Sequence, residues 1–202
     1  FEETEKILRR LQVANAQRKA VLDSAIQISI IATAKDGLIT VFNTGAENLL
    51  GYRAEEIIGK WTPEIFHLKS ELNMVSQNLS SKYGYNVEGI NVFYEHAVRG
   101  RLAQQEWTYV RKDGTQFPVR MTINTLREPY GSVSGLLFIA MDIAEKRRSE
   151  KALLESERTY RLLVRNLPNC VYKGYFDGTI DFFDDKIEQI TGYRKGDFLS
   201  RK

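Results

Sequence analysis

Residues 36–53 read DGLITVFNTGAENLLGYR, and residues 177–194 read DGTIDFFDDKIEQITGYR. The two stretches align without a gap at an offset of 141 (177 − 36 = 141) and share eight of eighteen residues. Chance is a poor explanation for such a match, so the chain contains an internal repeat. Residue 61 of the first copy corresponds to residue 202, and we therefore expect the second copy to be cut off after its opening third.

The first copy opens with the pattern of a β-hairpin. Residues 29–34 and 38–42 are apolar and rich in β-branched side chains, and Asp36-Gly37 between them is a turn signal. Thr44 followed by Glu47 predicts a capping box at the start of a short helix. Gly51 predicts a left-handed residue at the end of that helix.

The pattern that follows is helical and then extended. Short or amphipathic helices are predicted over 54–58, 69–82 and 88–99, and strands over 104–111, 115–125 and 133–141. The order is thus two strands, several helices and three strands. This order predicts an α+β fold, in which helices cover one face of a five-stranded antiparallel sheet.

Each copy of the repeat follows a helical stretch with a narrow apolar seam at heptad spacing. A narrow seam buries little apolar surface when the helix is alone. We therefore expect each helix to pair with its equivalent in a parallel homodimer. The alternative is that each helix packs against its own domain. The predicted boundaries are a helix at 1–24, a central domain at 25–143, a linker helix at 144–166 and a truncated second domain at 167–202. The predicted dimer-helix residues are Ile7, Leu11, Ala14 and Val21 in the first helix and Leu153, Tyr160 and Leu163 in the second.

Composition excludes several classes of protein. The chain is 43% hydrophobic and 27% charged, which is globular and not disordered. Its 29 Lys and Arg nearly balance 26 Asp and Glu, and the basic clusters alternate with glutamates, so nucleic acid is not an expected partner. Apolar runs fall short of the roughly 18 residues of a membrane span. Because its single cysteine, Cys170, suits a reducing compartment, we expect a cytoplasmic protein.

Several of these motifs, in this order, resemble a PAS domain with its C-terminal PAC segment. They are the turn at Asp36-Gly37, the later Gly51-Tyr52 pair, residues 106–114 (EWTYVRKDG) and finally Asp142-Ile143. The resemblance covers roughly residues 20–145, and the repeat implies a second PAS domain from about residue 160.

The resemblance also implies a function. PAS modules often enclose a small-molecule pocket, lie upstream of a histidine kinase or diguanylate cyclase, and pair through their flanking helices. Asp142 and Ile143 are the implied relay to the outgoing helix. Ala144 replaces the usual threonine there, which removes a hydroxyl and leaves Asp142 as the polar link.

Strand alternation predicts which side chains face the helices. These side chains, with two from the helix at 88–99, form either the wall of a ligand pocket or a solid core. We call this set the core wall. It comprises Phe93, Ala97, Trp107, Tyr109, Met121, Ile123, Phe138 and Ala140.

The sequence argues against several cofactors and reactions. Residues 61–67 lack the cysteine that a covalent flavin adduct requires. His96 lies about 120° from the apolar face of its helix, so it is expected at the surface or the boundary and not on haem iron. For His67 we expect only a local hydrogen bond. Phosphotransfer, cyclase, phosphate-loop and zinc motifs are not found, so no catalytic or metal residues are predicted, and the cofactor stays undefined.

Three hypotheses follow. The leading one is a sensory module that relays a ligand or conformational signal through paired helices to an output domain. The second is a ligand-free spacer that dimerises through the same helices. The third is a redox sensor that holds haem or non-covalent flavin.

Overall fold

The computed structural model describes residues 2–98, 105–167, 172–176, 180–183 and 186–194. Contacts divide the chain into two compact units, residues 1–145 and 146–202. The helices are α1 (Glu2–Ser24), α2 (Thr44–Leu50), α3 (Ala54–Ile57), α4 (Lys69–Tyr83), α5 (Ile90–Val98), α6 (Ala144–Asn166) and α7 (Lys186–Thr191), with a 3-10 turn at Pro63–Phe66. The strands are β1 (Ser29–Thr33), β2 (Ile39–Phe42), β3 (Gln105–Val110), β4 (Gln116–Arg127), β5 (Val133–Asp142), β6 (Tyr172–Gly174) and β7 (Ile180–Phe183). Cys170 lies outside the described residues.

The first unit contains a five-stranded antiparallel sheet in the order β2-β1-β5-β4-β3. All five predicted strands are present, which confirms the α+β fold. The chain leaves the sheet after β2, passes through the helices and returns as β3, so the last three strands lie beside the first two. The inner face of the sheet and the helices together enclose the core.

The core draws on every layer of this unit. Ile31 and Ile39 from the first hairpin, Leu50 from α2, Phe66 from the 3-10 turn and Val92 from α5 are all fully buried. Hydrophobic burial of this kind supplies most of the driving force for folding. The core therefore joins residues that are distant in sequence, such as Ile31 and Val92, which are 61 positions apart (92 − 31 = 61).

The predicted capping box at the start of α2 is wrong. Asn43, and not Thr44, is the N-cap, and its Oδ1 accepts a hydrogen bond of 2.9 Å from the Ala46 amide. Glu47 does not reach back to the cap. Its Oε1 accepts from the amide of Ala54 at 2.7 Å, so it links α2 to the start of α3.

The second unit repeats the start of the first. β6 and β7 pair antiparallel and are followed by α7, as β1 and β2 are followed by α2. The offset of 141 carries β2 onto β7 and Gly51 onto Gly192, and both glycines are left-handed, with φ of 77° and 75°. A second domain that begins here stays a prediction.

Within the described part of the chain, no helix combines the length and the apolar character that a bilayer crossing demands.

Candidate functional site

The core wall lies on the inner face of the sheet. Six of its members are at most 3% exposed, and the other two, Ala97 and Ile123, are partly buried against them. The buried six are Phe93, Trp107, Tyr109, Met121, Phe138 and Ala140. The neighbouring Arg120 points to the opposite face, where it pairs with Glu106 at 3.2 Å. The inner face is thus lined mainly by aromatic and aliphatic groups.

His67 lies among these aromatic rings. It is 2% exposed, and its ring centroid is 4.7 Å from that of Phe93, 5.2 Å from Trp107 and 4.9 Å from Tyr109. The predicted local bond is confirmed, since Nδ1 lies 2.9 Å from the carbonyl oxygen of Pro63. Its place in the core was not predicted from the sequence. The available signal was a single histidine within the apolar run 65–68 (IFHL).

Local backbone structure brings His67 to the sheet. Pro63 opens the 3-10 turn, where its fixed φ favours helical geometry and its missing N–H is not needed. His67 ends the turn in an extended conformation and forms a β-bridge with Tyr109. The next amide, of Leu68, donates to the carbonyl of Thr108 at 3.0 Å. The imidazole is therefore held by backbone pairing on one side and ring packing on the other.

Burial lowers the pKa of His67 to about 4, from the ordinary value of 6.5. The folded protein therefore keeps this ring neutral where the unfolded chain binds a proton. Above about pH 6.5 this difference in proton binding leaves the free energy of unfolding unchanged. As the pH falls from there toward 4, the unfolded chain takes up a proton that the folded protein does not, and the free energy of unfolding decreases. Between about pH 7 and pH 5, we expect His67 to account for a loss of about 2 kcal/mol in the free energy of unfolding.

Urea denaturation of the wild type and of His67→Phe at both pH values measures this effect. The phenylalanine variant should lose the His67 share of the pH dependence, and the control His96→Gln should retain it. Equal slopes for the wild type and His67→Phe would contradict a neutral, buried imidazole.

The end of α1 is joined to the sheet through Asn43, in what we call the entry junction. The Nδ2 group of Asn43 donates to the carbonyls of Leu22 (2.9 Å) and Ile28 (3.1 Å) and is 3.3 Å from that of Ala25. Its Oδ1 also accepts from the amide of Ile30 in β1 at 2.9 Å. Asn43 is 2% exposed, so this single side chain connects α1, β1 and α2 in a buried position.

The entry junction is also tightly packed. A Cβ atom placed on Gly45 would lie 2.1 Å from the carbonyl oxygen of Ile28 and 2.4 Å from that of Ala25. The carboxylate of Asp23 accepts from the amide of Thr44 at 3.1 Å. The backbone that follows α1 is thus in direct contact with the first turn of α2.

The predicted relay residues lie where β5 becomes α6, in what we call the exit junction. Asp142 Oδ2 is 3.3 Å from Arg111 Nη2, and Asp142 Oδ1 accepts from the amide of Ala144 at 2.7 Å. Ile143 is 3% exposed, and its amide donates to the carbonyl of Pro118. The start of α6 is therefore anchored through one ion pair to Arg111, which follows β3, and through one backbone bond to β4.

Arg111 links the exit junction to the helical layer. Its Nε donates to the carbonyl of Leu49 in α2 at 2.9 Å, and its guanidinium lies 3.8 Å from the ring centroid of Phe117. The short helix α2 therefore lies between the two junctions. Asn43 caps its start, and the Leu49 carbonyl lies near its end.

His96 lies at the boundary, one of the two predicted positions, and touches the core. It is half-buried, and its ring stands edge-on to Trp107 at 6.3 Å. Across the described ranges, no group of three His, Cys, Asp or Glu residues is placed to hold a metal ion.

Comparison with known proteins agrees with this geometry. A match to the PAS domain family covers residues 27–145. Two-component system protein A of Emericella nidulans is 26% identical over 160 residues, which are 79% of this chain and 21% of that protein. The chain thus spans about a fifth of the length of this curated relative.

A solved structure shows the same fold, and a second one is reported beside it. The PAS domain of a protein from Colwellia psychrerythraea superposes with a TM-score of 0.50 at 22% identity, covering 65% of this chain and 98% of that one. The PAS domain of an HTR-like protein from Haloarcula marismortui has a TM-score of 0.47 at 19% identity, covering 69% and 99%. From the family match over more than half of its residues, the chain belongs to the PAS domain family.

Proposed function

We propose that this chain is a sensory and relay module, which passes a ligand-dependent or conformational signal from its PAS core through paired flanking helices to a C-terminal output domain. PAS domains are sensory modules. The relay to an output domain and the pairing of the helices are the parts that we propose. The relative named as a two-component system protein favours a histidine kinase over a diguanylate cyclase as the output domain. We place the module in the cytoplasm, in accordance with its single cysteine.

The observation that carries the proposal is the entry junction. Asn43 bonds to the carbonyls of Leu22 and Ile28 with its amide group and to the amides of Ile30 and Ala46 with its oxygen. A displacement of the sheet or of α2 therefore strains hydrogen bonds to the end of α1. Because buried polar groups are costly to leave unpaired, α1 and the core tend to move together.

The exit junction offers the second half of the relay. Asp142 contacts both Arg111 and the first amide of α6, and Arg111 also bonds to α2. A change in the helical layer thus has a direct polar route to the start of α6. A signal shifts the output only by the free energy with which it distinguishes the two helix arrangements, typically about 1 to 3 kcal/mol.

The proposed pairing rests on apolar residues that the described chain leaves exposed. Ile7, Leu11 and Val21 in α1 are 54%, 56% and 70% exposed. On α6, Leu153 and Leu163 are 71% and 62% exposed, and Tyr160 is similarly uncovered. A heptad seam on a second copy would cover these side chains, with each residue facing its equivalent in a parallel pair.

Disulfide cross-linking tests the pairing. In a Cys170→Ser background, Ile7→Cys should form covalent dimers rapidly under mild oxidation, because equivalent seam residues meet in a parallel pair. The control Gln12→Cys lies about 140° from Ile7 around the helix and should cross-link slowly. Ile7 is far from the middle of α1, so an antiparallel pair would not join the two cysteines. Equal cross-linking of both variants, or a monomer by sedimentation, would refute the proposed dimer.

A ligand-free spacer is the second candidate, and one observation favours it. The rings of the core wall contact one another closely, with Phe93 5.2 Å from Phe138 and 5.9 Å from Trp107. Side chains packed in this way can fill a core without a ligand. Native mass spectrometry of the purified protein distinguishes the two functions, since a retained small molecule supports the sensor and its absence after saturation with candidate ligands supports the spacer.

A further inference from the structure

One position in the seam of α1 carries a charge. The seam residues are alternately four and three positions apart, and they are Ile7, Leu11, Ala14, Arg18 and Val21. At 3.6 residues per turn, this spacing places them on one narrow stripe of the helix. Arg18 is exposed, as its apolar neighbours on the stripe are. Its guanidinium therefore belongs to the surface that a second copy would cover.

The helix itself supplies no carboxylate that could neutralise Arg18. Ion pairs on a helix form between residues three or four positions apart. The residues at these distances from Arg18 are Ala14, Asn15, Val21 and Leu22, and none of them is acidic. The charge of Arg18 is therefore not compensated by its own helix.

A parallel pair would bring two of these charges together. Equivalent residues of a parallel coiled coil meet in the same layer, so the guanidinium of Arg18 would face its counterpart on the second copy. Residues 14–22 contain no Asp or Glu, so neither helix offers a counter-charge within one turn of this layer. Like charges placed together in an interface oppose binding, and one charged seam residue lowers the stability of a coiled coil. Pairing should therefore be weak at Arg18.

The charged layer lies close to the entry junction. Arg18 is six residues before Ser24, the last residue of α1 (24 − 18 = 6). Between them lies Leu22, whose carbonyl accepts a hydrogen bond of 2.9 Å from Asn43. The last turn of α1 is thus held by the core of its own chain, directly after the layer where a second copy binds least well.

We propose that Arg18 divides the α1 interface into a stable part, residues 7–14, and a weak part, residues 18–24, whose pairing the core controls. This inference rests on the proposed pairing and names the segment through which that pairing is regulated. A signal of limited free energy can shift an equilibrium only where the two states are close in free energy. Strain at Asn43 would therefore open or close the pair at Val21 while residues 7–14 stay together.

Two single-cysteine variants measure pairing in the two parts. In a Cys170→Ser background, Ile7→Cys reports on the stable part and Val21→Cys on the weak part. Each disulfide rate is divided by the rate at which iodoacetamide alkylates the same thiol, because thiols differ in reactivity. We expect Val21→Cys to cross-link about tenfold more slowly than Ile7→Cys, and Arg18→Leu to raise the Val21→Cys rate about tenfold.

Arg9→Leu is the matched control, because it makes the same change outside the seam. Arg9 lies about 160° from Ile7 around α1 and pairs with Glu5 on the exposed surface. Its replacement should change the Val21→Cys rate by less than about twofold.

Salt provides a measurement that a purely structural role of Arg18 would not affect. Raising the salt concentration from about 0.1 M to about 1 M screens the repulsion between the guanidiniums. The Val21→Cys rate should therefore increase in the wild type and stay constant after Arg18→Leu.

A charge swap tests whether the two Arg18 residues meet. Arg18→Glu alone should cross-link through Val21→Cys as slowly as the wild type, since two carboxylates repel each other as two guanidiniums do. In an equimolar mixture of the two chains, the mixed dimer, identified by its mass, should form faster than either homodimer, because opposite charges then share one layer.

The outcomes separate this inference from the proposed pairing. Equal rates for Ile7→Cys and Val21→Cys, no effect of Arg18→Leu, or no preference for the mixed dimer would each overturn the inference, while cross-linking of Ile7→Cys would still support the dimer. No cross-linking at either position, with or without Arg18→Leu, would refute the dimer and the inference together.

Discussion

Replacing Asn43 with alanine is expected to lower the free energy of unfolding by about 4 kcal/mol. The loss combines the N-cap of α2 with several hydrogen bonds that Asn43 makes in the junction. The amides of Ile30 and Ala46 lose the Asn43 acceptor, and the carbonyls of Leu22 and Ile28 lose the Asn43 donor. Chemical denaturation of the variant, followed by circular dichroism, measures the loss.

Two further variants show which half of the Asn43 amide matters. Asn43→Asp keeps the cap oxygen but places a carboxylate against three carbonyl oxygens, so it should be at least as unstable as Asn43→Ala. The exposed Asn78→Ala in α4 should change stability by less than about 0.5 kcal/mol. A small loss for Asn43→Ala would mean that α1 is not anchored to the core through this residue, and the proposed relay would lose its main support.

Gly135→Ala is the second change with a large expected effect, about 3 kcal/mol or more. A Cβ atom at this position would lie 1.8 Å from the carbonyl oxygen of Thr33, at the end of β1. Strand β5 would have to move away from β1 at the point where the Leu136 amide bonds to the Thr33 hydroxyl. We expect a lower unfolding midpoint and faster amide exchange at the ends of both strands.

Gly59→Ala is the matched control for this variant. Gly59 has a φ of 71° but no atom within 4 Å of a placed Cβ, so alanine there costs only backbone strain of about 1 kcal/mol. A comparable loss for both variants would show that β1 and β5 can separate easily at this point. The close approach of the two strands would then not restrict the sheet.

The fold was largely predictable because its signals are local. The Asp36-Gly37 turn needs a left-handed glycine, and Gly37 has a φ of 88°. Alternation in β3, β4 and β5 assigned the core wall to one face, since a strand's side chains must point to opposite sides. The apolar seams and the match between Gly51 and Gly192 depend in the same way on the spacing of residues along the chain.

The sites were less predictable because their partners are distant in sequence. Local pattern favoured Thr44 as the cap, since its hydroxyl precedes Glu47 by three residues. Asn43 takes that role because its amide also reaches Leu22 and Ile28, contacts that no local rule contains. Arg111 and Asp142 are likewise 31 positions apart.

The amino-acid sequence by itself determined the order of strands and helices, the inward face of the sheet and the apolar seams, because each depends on short-range periodicity and turn chemistry. Only the tertiary structure decided that His67 would lie among aromatic rings and that Asn43 would join α1 to the sheet. Both outcomes require segments far apart in the chain to pack together, and a buried polar group takes whichever partner that packing brings within reach.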